Sequence, residues 1–449
     1  MTSPPRFSRP SPLSRRALLR GAAGVGALAA LSGCGSVLDG LSTAGESADT
    51  LQYWDLFGGG DGVRMQSMLD TYRKQNPGIT LKGTTFNWGN PYYTKLSLAT
   101  VGNKPPDVAV AHLTRAKSMV EGDLLQELTP DALERAGLSA DKFNSKVWQA
   151  GLVDGKSYVI PLDTHPFVMF YNTEICKRAG LLGADNLLKP IKGEAAFMDA
   201  MKKAKTASGG YAGAIALGSE VVTAWRAFQS LYSQLGGQIL ADNGTKVVLD
   251  DAKALRTLTF LRGLTKSGLF PEATDYQGSI ADFAAGRTAF LFQGEWEITT
   301  FQTAKTPFSM TLFPHVFDEG PYAVQADSHT LVVPKSPKLT PARLDRALKF
   351  VRNLLDQSKT WAEGGHIPAW LPYRDSAEYQ SLQPQAQYAA AADSAAYDPA
   401  GWYSGSGSNF ETVTGSAVGA TMAGLTEAGQ ALDDMRTKLD NLAATASPI

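Results

Sequence analysis

The strongest constraint on the fold lies between Leu51 and Ala111, where apolar runs and helical stripes alternate. Leu51-Gln52-Tyr53-Trp54 reads as a strand, followed by the glycine-rich loop Gly58-Gly59-Gly60-Asp61-Gly62. Met65, Met68, Leu69 and Tyr72 then recur at helical spacing, and Asn76-Pro77-Gly78 stops the helix. Ile79 to Phe86 predicts a second strand and Tyr92 to Thr100 a second helix. Asp107 to Ala111, after Pro105-Pro106, predicts a third strand. This alternation builds an α/β fold with a mostly parallel sheet, because parallel neighbours need a crossover long enough to hold a helix.

The same grammar continues with different punctuation. Asp154-Gly155 makes the turn of a hairpin running through Tyr158-Val159-Ile160, and Phe167 to Tyr171 reads as a buried strand. Gly236 to Leu249 forms a second hairpin around Asp242-Asn243-Gly244. Asp250-Asp251 cap a helix whose core stripe is Leu255, Leu258, Leu261 and Leu264. A helical, amphipathic stretch runs from Thr412 to Ala444.

The first 34 residues place the chain outside the cytoplasm. Arg6, Arg9, Arg15, Arg16 and Arg20 precede an apolar, small-residue run from Gly21 to Leu31, the order of a bacterial export signal. That run is shorter than the roughly 20 residues a membrane-spanning helix needs. Leu31-Ser32-Gly33-Cys34 looks like a lipobox, in which Cys34 is acylated and becomes the new N-terminus. Ser14 to Leu19 resembles a twin-arginine signal, with Leu18 where Phe often stands. Residues 1–33 are thus read as the signal and 34–50 as a flexible tether rich in Ser, Gly and Ala. What remains of the 449 residues is enough for two domains. A net charge of −1 gives no footprint for nucleic acid. With Cys34 lipidated, Cys176 is left alone and no internal disulfide forms.

Four later segments carry a family resemblance. They are Gly122 to Leu128; Gly155-Lys156-Ser157-Tyr158-Val159-Ile160-Pro161-Leu162-Asp163 with Phe170 to Glu174; Phe283 to Trp296; and Gly364-Gly365-His366-Ile367-Pro368. In order and spacing the chain resembles the extracellular solute-binding proteins of ABC importers, in the carbohydrate-binding group of the maltose-binding protein. The resemblance implies a two-lobed fold with hinge strands and a ligand cleft between the lobes. It implies an N-terminal lobe of 51–162 plus 322–366 and a C-terminal lobe of 166–318 plus 370–449. It also implies a sugar or oligosaccharide ligand, ABC permease subunits as partners, and a monomer held to the outer face of the membrane through the lipid on Cys34. No cofactor is implied.

A sugar presents hydroxyls at its rim and flat C–H faces, so its receptor needs hydrogen-bonding side chains and stacking aromatics. By resemblance, Trp296 is the stacking aromatic, with Glu295 beside it as an acceptor. Trp225 stands at a spacing where the family contacts ligand, and reads equally as core. His165 sits where the family presents a hydrogen-bonding side chain. Asp61 in the glycine loop, His112 at a strand end, Asp163 and Thr164 at the hinge, and Trp402 and Tyr403 in a Ser/Gly-rich loop complete the candidates. Each also has an ordinary structural reading.

Enzyme templates fit poorly. His112, His165, His315, His329 and His366 form no H-E-x-x-H or other close ligand spacing, so no dedicated metal site is expected. Gly155-Lys156-Ser157 lacks the upstream glycine of a P-loop, since Ala150 stands there, and no G-x-S-x-G elbow is present. An exported glycoside hydrolase, whose two carboxylates need no motif, and a non-catalytic adhesin or scaffold lipoprotein are the alternatives.

Overall fold

The computed structural model describes residues 49–218 and 220–447. The export signal, Cys34 and nearly all of the tether lie outside the described residues. Among the described residues no helix is long and apolar enough to cross a membrane. Strand β1 (Thr50–Asp55) is buried along its whole length and pairs in parallel with β2 (Thr80–Thr85) and β3 (Val108–His112). A central parallel strand is covered on both faces, so consecutive Tyr53 and Trp54 are both accommodated without in–out alternation.

Helices α1 (Gly59–Gln75) and α2 (Asn90–Val101) supply the crossovers. Helix α1 turns Met65, Met68, Leu69 and Tyr72 inward, the stripe expected. The glycine run, expected as a loop, is instead the first turn of this helix. Gly59 has φ of +53°, and a Cβ on Gly62 would stand 2.8 Å from the Phe57 carbonyl oxygen, so the sharp entry into α1 depends on glycine.

After β4 (Val159–Pro161) comes β5 (Asp163–Asn172), ten buried residues that leave the first sheet for the second. From Phe167 onward β5 pairs with antiparallel partners, so the second sheet differs in kind from the first. Its other long strands are β6 (Tyr211–Ala214), β7 (Thr288–Gly294), β8 (Phe308–Leu312) and β9 (Val324–Asp327). β7, β8 and β9 run antiparallel to β5, and β6 lies parallel to β7. One residue past β9, strand β10 (His329–Val332) has already returned to the first sheet, between β3 and β4. A third crossing, Ile367–Pro368, pairs with Thr164 and Asp163.

Two cores lie on either side of these crossings. One packs Tyr53, Val110, Ile160, Leu331 and Phe350, and the other Phe170, Trp225, Phe228, Phe290 and Phe292. The molecule is therefore two-lobed, with the crossing segments lying side by side. Helix α3 (Val222–Gln234) is almost wholly buried in the second lobe. Helix α4 (Asp251–Lys266) starts at Asp250, whose carboxylate accepts from Lys253 N. Leu258, Leu261 and Leu264 face inward, but Leu255 is 42% exposed and drops out of the expected stripe. Helix α5 (Pro341–Asp356) packs on α1. The C-terminal helical stretch is two helices, α6 (Asn409–Met422) and α7 (Ala428–Ala444), broken at Gly424 with φ of +71°. Trp370, expected in the second lobe, packs in the first core 5.1 Å from Phe143 under the Arg352 guanidinium.

Candidate functional site

A cleft of about 330 Å³ opens beyond the C-terminal ends of β1 and β3, opposite α3 and the end of β7. Carboxyl ends of strands are where open α/β sheets present ligand sites, because loops diverge there and leave a crevice. The first lobe contributes Phe57, Asp61, Trp88 and His112, and the second contributes Glu220, Arg226, Tyr276 and Trp296. His165 and His329 come from the crossing strands and form the floor.

The aromatic wall is held rigidly. The Trp296 indole lies against Gly294, where a Cβ would fall 1.9 Å from the ring. Its Nε1 donates to the Tyr276 hydroxyl at 2.9 Å, which donates in turn to Glu297 Oε1 at 2.6 Å. The Arg226 guanidinium sits 4.8 Å from the Trp296 ring centroid, a cation–π distance. Glu220 is occupied at the start of α3, accepting from Val222 N, Thr223 N and the Thr223 hydroxyl. An aromatic surface fixed in advance costs little ordering on binding.

Beneath the floor, Asp163 is fully buried and gathers donors from the first two crossings and from Trp361. His165 Nδ1 lies 3.1 Å from Oδ1 and His329 Nδ1 2.8 Å from Oδ2. The His329 backbone N–H donates to Oδ1 at 2.8 Å and Trp361 Nε1 to Oδ2 at 2.7 Å. Burial alone would raise the Asp163 pKa, but His329 and His165 hold it well below the usual carboxylate range. Burial pushes His165 down to about 3 and His112 well below the usual range, so both imidazoles are neutral. His112 Nδ1 is 2.7 Å from the Tyr93 hydroxyl. His366 faces carboxylates on both sides: Nε2 is 3.0 Å from Asp61, and Nδ1 is 3.0 Å from Glu295 and 3.4 Å from Asp163. Burial would lower its pKa, yet Asp61, Glu295 and Asp163 raise it well above the ordinary value. Glu295 is lifted by burial to about 7, offset in part by His366.

The model of bacterial extracellular solute-binding proteins matches residues 59–359. The chain belongs to this family. The maltodextrin-binding protein MdxE of Bacillus subtilis is 23% identical over 286 residues, 61% of this chain and 63% of that protein. A maltooligosaccharide ABC transporter solute-binding lipoprotein of Streptococcus pneumoniae is 24% identical over 301 residues, 63% of this chain and 64% of that one. The chain thus spans under two thirds of the length of these curated relatives. The solved sugar-binding protein MalE of Xanthomonas citri shares the fold, with a TM-score of 0.73 at 19% identity over 88% of this chain and 97% of that one.

In this solute-binding protein the candidates separate into three groups. Asp61, His112, His165 and Trp296 line the cleft together. Asp163, Thr164 and Glu295 lie beneath it, 0–1% exposed, and act on its shape rather than its surface. Trp225, Trp402 and Tyr403 are corrections, because none of them lines the cleft. Trp225 is wholly buried in α3, donates to Asp398 Oδ1 at 3.0 Å and packs edge-on against Phe410. Tyr403 is a core residue whose hydroxyl donates to the Gly244 carbonyl at 2.7 Å, and Trp402 Nε1 reaches the Thr445 carbonyl at 3.3 Å. Their loop is rich in turn residues yet folded against the body.

Trp88, Arg226 and Tyr276 line the cleft without having been singled out in the sequence. Trp88 carried a usable signal, an aromatic inside the turn-rich Asn87-Trp88-Gly89-Asn90-Pro91. Arg226 and Tyr276 carried none, since only tertiary packing brings them to the wall. Linear spacing showed no metal motif, but folding brings donor atoms of Asp163, His165, His329 and His366 within 4.8 Å of one another.

Proposed function

We propose that this protein is an exported receptor, anchored by lipid on Cys34, that captures a sugar or oligosaccharide between its lobes and delivers it to an ABC permease. The observation that carries the reading is the cleft itself. Trp296, Trp88, Phe57 and Tyr276 offer aromatic surface, and Asp61, Arg226 and the imidazoles of His112, His165 and His329 offer hydrogen bonding beside it. Faces for C–H surfaces and rims for hydroxyls are the two things a sugar requires. The relatives named for maltodextrin and maltooligosaccharides, one of them a lipoprotein, support the same class. Closure follows from differential affinity: a ligand touching both walls binds the closed form better, and the permease reads that form. The protein works as a monomer and performs no chemistry on the sugar.

A thermal-shift screen of residues 50–449 tests this against mono- and oligosaccharides, polyol phosphates and polyamines. A ligand bound only by the native state raises the melting temperature with dose. One sugar class should shift it and be recovered intact. Cleaved sugar would favour a glycoside hydrolase, and silence across all sugars would remove the sugar reading.

A further inference from the structure

Three of the five histidines converge on the hinge around Asp163, and their arrangement exceeds what hydrogen bonding there requires. Asp163 and His165 stand on the first crossing, His329 on the second and His366 on the third. Their side chains are 0–7% exposed. Glu295 completes the cluster from the second lobe, with Oε1 3.0 Å from His366 Nδ1.

The contacts at His366 are close but misaligned. His366 Nδ1 approaches two carboxylates at 3.0 and 3.4 Å, yet it makes no hydrogen bond, and neither oxygen of Glu295 has a hydrogen-bond partner. Charge still pairs His366 with Glu295, but three buried atoms without an aligned hydrogen bond are costly. Close, unaligned contacts at His366 and Glu295 are what two donors to one shared ion would make. His165 and His329 are hydrogen-bonded to Asp163, so an ion would replace the protons on those two imidazole nitrogens. Ligands at bond lengths of about 2.1 Å sit about 3.4 Å apart in a tetrahedron. The observed nitrogen-to-oxygen separations run from 2.8 Å up to that value, so small side-chain shifts would open them to it.

The surroundings are those of ligands held in place. Asp61 sits on His366 Nε2 at 3.0 Å, the carboxylate–imidazole pairing that fixes a ligating ring. Trp361 Nε1 and the His329 backbone N–H orient the Asp163 carboxylate. Three imidazoles with one or two carboxylates suit a divalent transition ion of borderline softness, not calcium or magnesium, which prefer all-oxygen shells. His165 and His329 also border the cleft, which provides a way in.

We propose that Asp163, His165, His329 and His366, with Glu295, bind one zinc-class divalent ion that fastens the three crossing strands at the hinge. The site shares His165 and His329 with the cleft floor, so its test reads metal uptake in the absence of sugar.

The test uses untagged mature protein stripped with chelator, dialysed, then exposed to zinc or cobalt and desalted. Elemental analysis should find one ion per chain. The cobalt form should show visible d–d absorption, and zinc should raise the melting temperature. His366→Ala and His329→Ala should each lose the ion, whereas His315→Ala, on the second lobe away from the hinge, should retain it. Asp61→Asn, acting through His366, should weaken zinc binding by about 10–100-fold. The wild-type stoichiometry decides the matter even if a hinge variant fails to fold. Stripped wild type that takes up neither ion, or uptake that survives in the folded hinge variants, would overturn the site.

Discussion

The floor and the walls of the cleft hold their side chains by opposite means. At the floor, Asp163 is out of reach of solvent and has its oxygens taken by His165, His329 and Trp361. At the walls, Trp296 and Trp88 keep part of their surface open, and Trp88 is 42% exposed. The floor lies where three strand segments cross between the lobes, so it sets how the lobes can pivot. The walls come one from each lobe, so a ligand between them touches both. Changes in the floor should therefore act on folding, and changes in the walls on binding.

The largest effect should come from the floor. Asp163→Ala strips the shared acceptor from two imidazoles, an indole and a backbone N–H, and breaking such a buried network costs about 3–5 kcal/mol. Urea unfolding of the variant should show this loss. A stability unchanged within error would mean that the floor is no more than another wall.

Two tryptophans sharpen the contrast. Trp225→Ala removes a fully buried ring and should cost about 3–5 kcal/mol of stability. Trp296→Ala should leave the melting curve nearly unmoved while weakening sugar binding by about 1–3 kcal/mol. Parallel denaturation and binding curves separate the two roles, and a Trp296 variant that binds normally takes that residue out of the site.

The smallest effect concerns buried carboxyls that have no imidazole. Burial, reinforced by neighbouring Asp398, raises Glu411 well above its ordinary 4.5. The folded protein then holds a proton that the unfolded chain releases. Glu411 therefore favours folding at low pH and progressively less as pH rises past about 4.5 toward its raised folded value. Melting temperature should fall less steeply with rising pH in Glu411→Gln than in wild type. Equal slopes would contradict the shift. The opposite holds at Asp163, where the imidazoles keep the carboxylate charged.

Local pattern carried the framework and failed where distant residues decide. The strand and helix alternation from Leu51 to Ala111 was legible because it follows side-chain period, and Trp296 was legible through the segment ending at Gly294. Trp225 and Trp296 are both aromatics near strand or helix ends. What separates them is Asp398, 173 residues from Trp225, which takes its indole N–H in the core. The hinge cluster was invisible for the same reason: Asp163 meets Trp361 across 198 residues, and His366 meets Asp61 across 305. Trp402 and Tyr403 misled because a turn-rich composition was read as exposure, while their loop is packed.

A sugar held by the walls should leave the cleft unaltered. Calorimetric titration of wild type and Trp296→Ala with the sugar giving the largest thermal shift tests it most directly. One saturable site per chain is expected, with intact sugar afterwards and an affinity about 10–100-fold lower in the variant. Equal affinity in the two proteins, or a heat that continues as the sugar is consumed, would contradict it.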